Sequence, residues 1–335
     1  MRTASYLARR LVYFVVSVLG VLVITFVVTR ALPGNPVYLL AGPLTDQAKV
    51  DAAIRELGLD RPLPAQFVAY LGDLVHGDLG TSLRTSQSVV SDLGSRWPAT
   101  AELALFAIVV AVGWALLVGT LAAVFPRSVF ARAADFVGSL GVSVPEFWLA
   151  TVVILVFFTS LDIAPPPIGR ISGTPPGTIT GFYTVDALLT ADWTALRASL
   201  AQLLLPGLTL ALTTGAPMMR TAREFMTGVL GSPYIRAGRA LGIPPARLVV
   251  RHALPNALLP VTTMIATMFG YLLGGTVMVE FVFAWPGVGK YAVDSITASD
   301  YAPVMAVVVL SAMVYLLVYL VTDVFHLFVD PRSRT

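Results

Sequence analysis

The sequence predicts an all-α integral membrane protein with six transmembrane helices. Hydrophobic residues make up 56% of its 335 residues and charged residues only 12%, whereas a soluble domain carries about 25% charged residues. The apolar residues are also grouped, in stretches close to the roughly 20 residues that a helix needs to cross the hydrocarbon core of a bilayer. Such a chain cannot be solvated as an ordinary globule, so most of its surroundings must be lipid.

Six stretches have this character: about 11–30, 100–125, 137–160, 200–217, 256–282 and 302–327. The first is too long for the apolar region of a typical signal peptide and is predicted to be a retained anchor. The third is interrupted by Pro145 and Glu146, and the fourth is short and contains Pro206.

The arginines predict the orientation of these spans. If residues 1–10 lie inside, the inner segments hold most of the 22 basic residues and few acids. Because inner loops of membrane proteins are enriched in Lys and Arg, we expect both termini in the cytoplasm. The chain then divides into a first span (11–30), an extracytoplasmic loop (33–98) and a core domain (100–335) that contains a cytoplasmic loop (218–255).

The external segments contain short helices rather than further domains. Within 33–98, one amphipathic helix is predicted from Thr45 to Gly58, and the segment LPAQFVAYLGDLVHGDLG predicts a second that ends near Gly77. The other external loop, 161–199, opens with IAPPPIGRISGTPPG, whose prolines and glycines argue against a helix there.

The cytoplasmic loop contains a short, strongly punctuated segment, SPYIRAGRALGIPPARLVVRHALP. Ser232 suits an N-cap and Pro233 the first position of a helix, while Gly242 suits the left-handed position that ends one. Pro244 and Pro245 can then start the next helix. The pattern predicts a helix of about two turns, a glycine corner and a second helix that leads into the fifth span.

This short helix has the features of a docking surface. Arg236 and Arg239 lie three residues apart and share one face, and the small Ala237 and Gly238 leave the backbone open to a partner. A solvated basic loop that only obeys the inside-positive rule is the alternative. That rule requires neither caps nor a glycine corner, so the punctuation favours a rigid protrusion.

No catalytic, cofactor-binding or metal site is predicted. The chain has no cysteine, its three histidines are scattered, and AWPGVGKY (284–291) lacks the first Gly and the final Ser or Thr of a phosphate-binding loop. Glu146 and Glu280 fall in spans, where charge is costly and often functional. They either line a translocation path, where they would contact a peptide's ammonium group, or pair with protein groups at the ends of spans.

The punctuated segment resembles the cytoplasmic loop of the membrane subunits of binding-protein-dependent ABC importers. The family pattern is Glu-Ala-Ala, three residues, Gly, nine residues, Ile-x-Leu-Pro, and it falls on Arg236-Ala237-Gly238, Gly242 and His252-x-Leu254-Pro255. The sequence pattern YxRxARAxG, whose Tyr falls on Tyr234, is typical of the peptide-permease branch. Arg236 stands where the family pattern has Glu, so the role of that Glu is not carried over to Arg236.

Other segments resemble the same branch in order along the chain, from YLARRLVYFVVSVLGVLVITFVVTRALPGNP to DVFHLFVDPRSR. The chain is therefore similar to the long-loop permease subunit of the dipeptide/oligopeptide/nickel importers of bacterial or archaeal cytoplasmic membranes. The resemblance implies the type I importer permease fold and coupling to the ATPases through 232–255. The implied partners are a homologous second permease, two cytoplasmic ATPase subunits that use ATP and Mg²⁺, an extracytoplasmic binding protein, a peptide and membrane lipid, and no nucleic acid.

Three alternatives remain open. The substrate of such an importer is a peptide by default, but a nickel complex, glutathione or an oligosaccharide is also compatible with the sequence. A secondary active transporter would be expected to contain internal repeats and paired broken helices, and no convincing repeat is visible. A membrane enzyme would need a nucleophile–base or metal constellation, and none stands out.

Overall fold

The computed structural model describes residues 2–31, 54–55, 58 and 60–329, and the regular structure in them is helical, with one isolated β-bridge between Thr81 and Ser88. The helices are α1 (Arg2–Ala31), α2 (Leu63–Val75), α3 (Val89–Val124), α4 (Val129–Ser143), α5 (Glu146–Val153), α6 (Tyr183–Leu189), α7 (Trp193–Leu230), α8 (Pro233–Ala240), α9 (Leu254–Val282), α10 (Val288–Thr297) and α11 (Tyr301–Val329). A π-helical turn, Ile154–Ser160, continues α5. A short turn, Pro245–Arg247, and a second π-helical segment, Leu248–Ala253, lead into α9.

Five helical segments are long and apolar enough to cross a membrane: Arg9–Arg30, Val89–Val124, Trp193–Leu230, Val261–Val282 and Tyr301–Thr322. A sixth crossing is possible if α4 and the α5–π segment count as one span, although the two are bent by 112°. The all-helical class is thus confirmed for the described residues. The helix expected from Thr45 to Gly58 lies almost entirely outside them, while the second external helix is α2, and Gly77 beyond its end has a left-handed φ of +79°.

Two predicted spans differ from the structure. The third, 137–160, is not one continuous helix, because α4 ends at Ser143 and α5 begins at Glu146. Val144 has extended backbone (φ −91°, ψ 126°), the conformation that the ring of a following proline imposes. Pro145 therefore causes the bend.

The fourth span, predicted over 200–217, is part of the 38-residue helix α7, which keeps both Pro206 and Pro217 inside it. Prolines are tolerated in transmembrane helices when neighbouring helices compensate the lost backbone hydrogen bond. The predicted loop 218–255 is accordingly helical up to Leu230. The segment that turns away from the spans begins only at Gly231.

The core of the bundle lies between α3 and α7, which make the most extensive contact in the described chain. The buried face of α3 is rich in alanine, and small residues allow helix backbones to approach closely in a membrane. Gly215 of α7 shows how tight the contact is: a Cβ there would lie 2.5 Å from the Trp114 ring of α3. The Trp114 indole N–H donates to the Ala211 carbonyl at 3.0 Å.

At one end of the bundle, buried polar contacts tie the connecting segments to the helices. We call residues 77–88, 161–192 and 283–300 the cap. Arg170 of the cap pairs with Glu102 of α3 (Nη2–Oε2 2.6 Å), both almost fully buried. The guanidinium also stacks 3.7 Å from the centre of the Tyr183 ring. The other carboxylate oxygen of Glu102 accepts from the amide and hydroxyl of Thr184, at 2.8 and 2.6 Å.

Two further side chains of the cap are fixed by hydrogen bonds. Asp186 is 1% exposed and accepts from the backbone amides of residues 179–181 and from the Thr180 hydroxyl. Burial alone would raise the pKa of Asp186, but these bonds outweigh it and hold the pKa below its usual value. Tyr291 donates to Asp92 at 2.7 Å. Burial and then this carboxylate raise the pKa of the phenol above its usual value.

Candidate functional site

The punctuated segment folds as its local signals predict. Helix α8 starts at Pro233 after Ser232, whose extended backbone is that of an N-cap, although its hydroxyl makes no capping hydrogen bond. Gly242 has φ +78°, the left-handed conformation that glycine adopts without steric cost. The amide of Ile243 donates back to the Gly238 carbonyl at 3.1 Å, as in a Schellman motif. The helix–Gly–helix prediction is confirmed.

The root of α8 is apolar and joins the ends of several helices. Ile235 is fully buried in a cluster with Ala123 of α3, Met226 of α7 and Ala257 of α9. The buried base of α8 therefore shares one apolar cluster with three membrane helices. Ile235 was not predicted as a site residue, and its signal is the i, i+3 spacing of Ile235 and Gly238, which places both on one face of the helix.

Gly238 belongs to this root rather than to the exposed face. A Cβ on Gly238 would lie 2.7 Å from Leu248 Cδ2, so the missing side chain lets α8 pack on the following π-helical segment. The expectation that Gly238 leaves the backbone open to a partner is wrong, because the residue is buried. Ala237 is exposed, as expected.

Tyr234 links α8 to the beginning of α9. It is 48% exposed, but its hydroxyl donates to the His252 carbonyl at 3.3 Å and accepts from the Asn256 amide at 3.1 Å. Two residues of the predicted site, Leu254 and Pro255, lie at this junction, the first half-buried and the second exposed.

The outward side of α8 carries the predicted cations and one apolar residue that the sequence analysis missed. Arg236 and Arg239 are exposed and lie next to each other on the surface of one helix. Leu241, directly after α8, is 81% exposed. An exposed leucine between cations is suited to a partner surface that is partly apolar and partly acidic. We call Arg236, Ala237, Arg239 and Leu241 the α8 face.

Glu280 lies at the other end of α9 and is fully buried. Its carboxylate accepts from the Thr100 hydroxyl at 2.6 Å and from the Lys290 amide at 2.9 Å. It therefore joins α3, α9 and α10. The segment with the ending of a phosphate-binding loop is folded around this carboxylate, and the Lys290 ammonium pairs with Asp294 at 2.9 Å.

Glu146 is placed differently, at the bend between α4 and α5. It is half-buried, accepts from the Thr213 hydroxyl of α7 at 3.2 Å, and lies so close to α9 that a Cβ on Gly275 would be 2.2 Å from its carboxylate. Within the described parts of the chain it has no cationic partner. The same residues contain no group of three His, Cys, Asp or Glu that could hold a metal ion.

Comparison with known proteins gives matches that together cover nearly the whole chain. Residues 115–335 match the model of the binding-protein-dependent transport system inner membrane component, and residues 3–104 match the N-terminal model of the same membrane components. A probable D,D-dipeptide transport system permease protein of Escherichia coli (strain K12) is 42% identical, with 98% of this chain and 97% of the relative covered. A di/tripeptide permease of Pseudomonas aeruginosa (strain UCBPP-PA14) is 37% identical, with 98% of each covered.

An oligopeptide transport system permease protein of Bacillus subtilis (strain 168) is 34% identical over 98% of this chain and 99% of the relative. Both family models and these full-length relatives describe the same kind of molecule, a multi-helix component of the inner membrane that works with a binding protein. The chain belongs to the family of inner membrane components of binding-protein-dependent transport systems.

Proposed function

We propose that this chain is the permease subunit of an ATP-driven peptide importer, with six spans in the type I importer arrangement and both termini in the cytoplasm. The names of its full-length relatives support a peptide substrate, and the arginine distribution supports the orientation. A homologous second permease subunit supplies the other half of the pathway. Two ATPase subunits bind ATP and Mg²⁺, and an external binding protein delivers the peptide. This chain itself is not an enzyme.

The observation that carries this proposal is the architecture of α8. The residues of the α8 face are exposed, while Ile235 of the same helix is buried among the ends of α3, α7 and α9. An exposed helix that is rooted in several spans transmits force as a rigid lever. We propose that an ATPase subunit holds the α8 face, Tyr234, Gly238 and Gly242 position it, and Leu254–Pro255 pass its movement to α9.

Of the two acids predicted to line the pathway, Glu146 is the better candidate. Glu280 has both carboxylate oxygens bonded inside the chain, which supports a role at the end of a span. Glu146 keeps unused hydrogen-bonding capacity at a half-buried position between helices, as expected of an ionisable residue on a substrate path.

The test is transport by the assembled complex in proteoliposomes, with binding protein outside and ATP inside. We expect uptake of L-Ala-L-Ala or D-Ala-D-Ala that requires ATP hydrolysis. Glutathione, a nickel chelate and an oligosaccharide serve as competing substrates in the same assay. Uptake driven by a proton gradient without ATPase subunits would instead establish a secondary transporter, and conversion of the substrate by the purified chain would establish an enzyme.

A further inference from the structure

We propose that Glu146 and the apolar crevice beside it form a transient binding site for the first residue of a transported peptide. The carboxylate binds the α-ammonium group, and the crevice accepts an apolar side chain. This inference rests on the proposed peptide transport and adds to it the group of the substrate that is recognised inside the membrane.

The crevice lies between α5 with its π-helical turn and α7, and its volume is about 530 Å³. Small-molecule sites in proteins are about 300–1,000 Å³ in volume and mostly apolar, so an amino-acid residue fits easily. The walls are aliphatic and aromatic side chains with one hydroxyl, and they include Leu149, Val153, Phe157, Leu204, Leu208 and Thr209. π-helical turns are frequent at functional sites, and Phe157 belongs to one.

Glu146 lies next to this crevice, about one helical turn beyond its lining residues. On α5, Leu149 follows Glu146 by about one helical turn, and on α7, Thr209 precedes Thr213 by about one turn. Because Thr213 donates to Glu146 across the two helices, the carboxylate lies about one helical turn beyond Leu149 and Thr209 of the crevice wall. A charged end and apolar walls match a peptide's ammonium group and its first side chain.

The carboxylate of Glu146 is poorly satisfied compared with the other acids of the bundle. Glu102 has a cation and two donors from Thr184, and Glu280 has a donor on each oxygen. Thr213 has only one proton to give, and its oxygen also lies 3.1 Å from the Leu210 carbonyl and 3.4 Å from the Thr209 carbonyl. Glu146 therefore retains capacity for a strong, charge-assisted partner.

A lipid tail or an apolar helix of the second permease subunit would fill the crevice equally well. Neither an acyl chain nor an apolar side chain carries a positive charge to Glu146, and an anionic headgroup would be repelled by it. A free ammonium group with an apolar neighbour satisfies both parts of the site at once, which is why we favour the peptide.

The absence of cysteine from the chain provides a clean test. Leu208→Cys, a crevice residue that is 42% exposed, is introduced in one variant, and Leu117→Cys, 61% exposed on α3, in the control. Each is assembled into the complete transporter in proteoliposomes and labelled with a water-soluble maleimide during turnover with Leu-Gly. We expect the introduced thiol at 208 to react and Leu-Gly to slow its labelling. The thiol at 117, which lies on an exposed apolar surface outside the crevice, should stay unreactive.

The same labelling is repeated with Glu146→Gln, which keeps the size of the side chain and removes its charge. We expect protection by Leu-Gly to require about tenfold more peptide in this variant, the loss typical of a hydrogen bond to a charged group. Equal protection in both backgrounds, or no protection while Leu-Gly is taken up, would overturn the site. A thiol at 208 that never reacts would show that lipid or the second subunit fills the crevice. That result would also overturn the site. Failure of the unmodified transporter to import Leu-Gly or any other peptide would overturn the proposed function, and with it this inference.

Discussion

The two ends of the helix bundle are held together by different forces. In the cap, charged and hydroxyl side chains are buried and bonded to one another, as in the Arg170–Glu102 pair and around Asp186. At the α8 end, the buried root is apolar or glycine and contains Ile235 and Gly238, while the polar contacts, such as that of Tyr234 with Asn256 and the Arg223–Asp135 pair, lie at the surface.

This difference indicates how each end is used. A buried polar network has few alternative arrangements, because any partial rearrangement leaves an unpaired polar group in a low-dielectric interior. The cap is therefore suited to keep one shape. An apolar root can slide within its cluster while the exposed charges are held by a partner. We infer that motion enters at the α8 end and that the cap moves as a unit.

The largest expected effect is the loss of the buried cation in the cap. Arg170→Met leaves Glu102 charged and without its cation, and removing one partner of a buried ion pair costs about 3–5 kcal/mol. We expect a large decrease in the apparent unfolding temperature of the purified subunit in detergent. Adding Glu102→Gln should restore part of the loss, because the uncompensated charge is then gone. If the single variant is as stable as the unmodified chain, the cap is not held by this pair.

The elements that depend on local signals could be predicted from the sequence. The hydrophobic lengths predicted the spans, and Pro233, Gly242 and the paired prolines predicted the α8 corner, because caps and φ preferences act within a few residues. The interrupted third span was visible at Pro145, but its 112° angle was not. The true length of α7 was missed because Pro206 and Pro217 are helix breakers in water and are tolerated in a packed membrane helix.

The contacts between distant segments could not be predicted from the sequence. Glu102 and Arg170 are separated by 68 residues and Thr100 and Glu280 by 180, and no local pattern brings them together. For the same reason Gly238 was expected on the open face, whereas only the packing of Leu248 shows that it is buried. Leu241 was overlooked because a single exposed leucine has no signature in a chain this rich in leucine.

The second prediction tests the glycine corner at the α8 end. Gly242→Ala forces a side chain into left-handed backbone (φ +78°) and should cost about 1–2 kcal/mol. Gly242→Pro, whose ring fixes φ near −65°, should abolish ATP-driven uptake while the chain remains in the membrane. Uptake and membrane content are measured together in vesicles.

Gly231→Ala is the matched control for the corner, at the other end of α8. Its φ is −81°, which any residue adopts, and its Cβ would meet neighbours only at ordinary contact distances of 3.5 Å and above. We expect normal uptake from this variant. Normal uptake by Gly242→Pro as well would contradict the lever.

The third prediction tests the hydrogen bonds of the cap by varying the pH. Because hydrogen bonds hold the pKa of Asp186 below its usual 3.8, the ionised side chain contributes stability that is complete above about pH 4 and is lost as the pH falls through the lowered pKa. Asp186→Asn should cost about 1 kcal/mol at neutral pH. Thermal unfolding of both chains from pH 7 down to pH 3 should show the difference shrinking at the acid end. A difference that is constant over this range would mean that the charge of Asp186 contributes nothing.

The smallest expected effect on stability comes from the exposed charges of α8, and it is paired with a large effect on function. Arg236→Ala together with Arg239→Ala removes two exposed side chains, so the free energy of unfolding should change by less than about 0.5 kcal/mol. If the ATPase holds the α8 face, the same variant should assemble poorly with the ATPase subunits and lose peptide uptake.

Arg127→Ala together with Arg132→Ala is the control for net charge, since both arginines are exposed around the turn between α3 and α4, outside α8 but at the same end of the bundle. Co-purification with the ATPase subunits and uptake in proteoliposomes are measured for both variants. Loss of ATPase binding in the α8 variant alone would place the contact on the α8 face. An equal decrease in both would mean that the arginines act only through the overall positive charge of this end, which is what a solvated basic loop predicts.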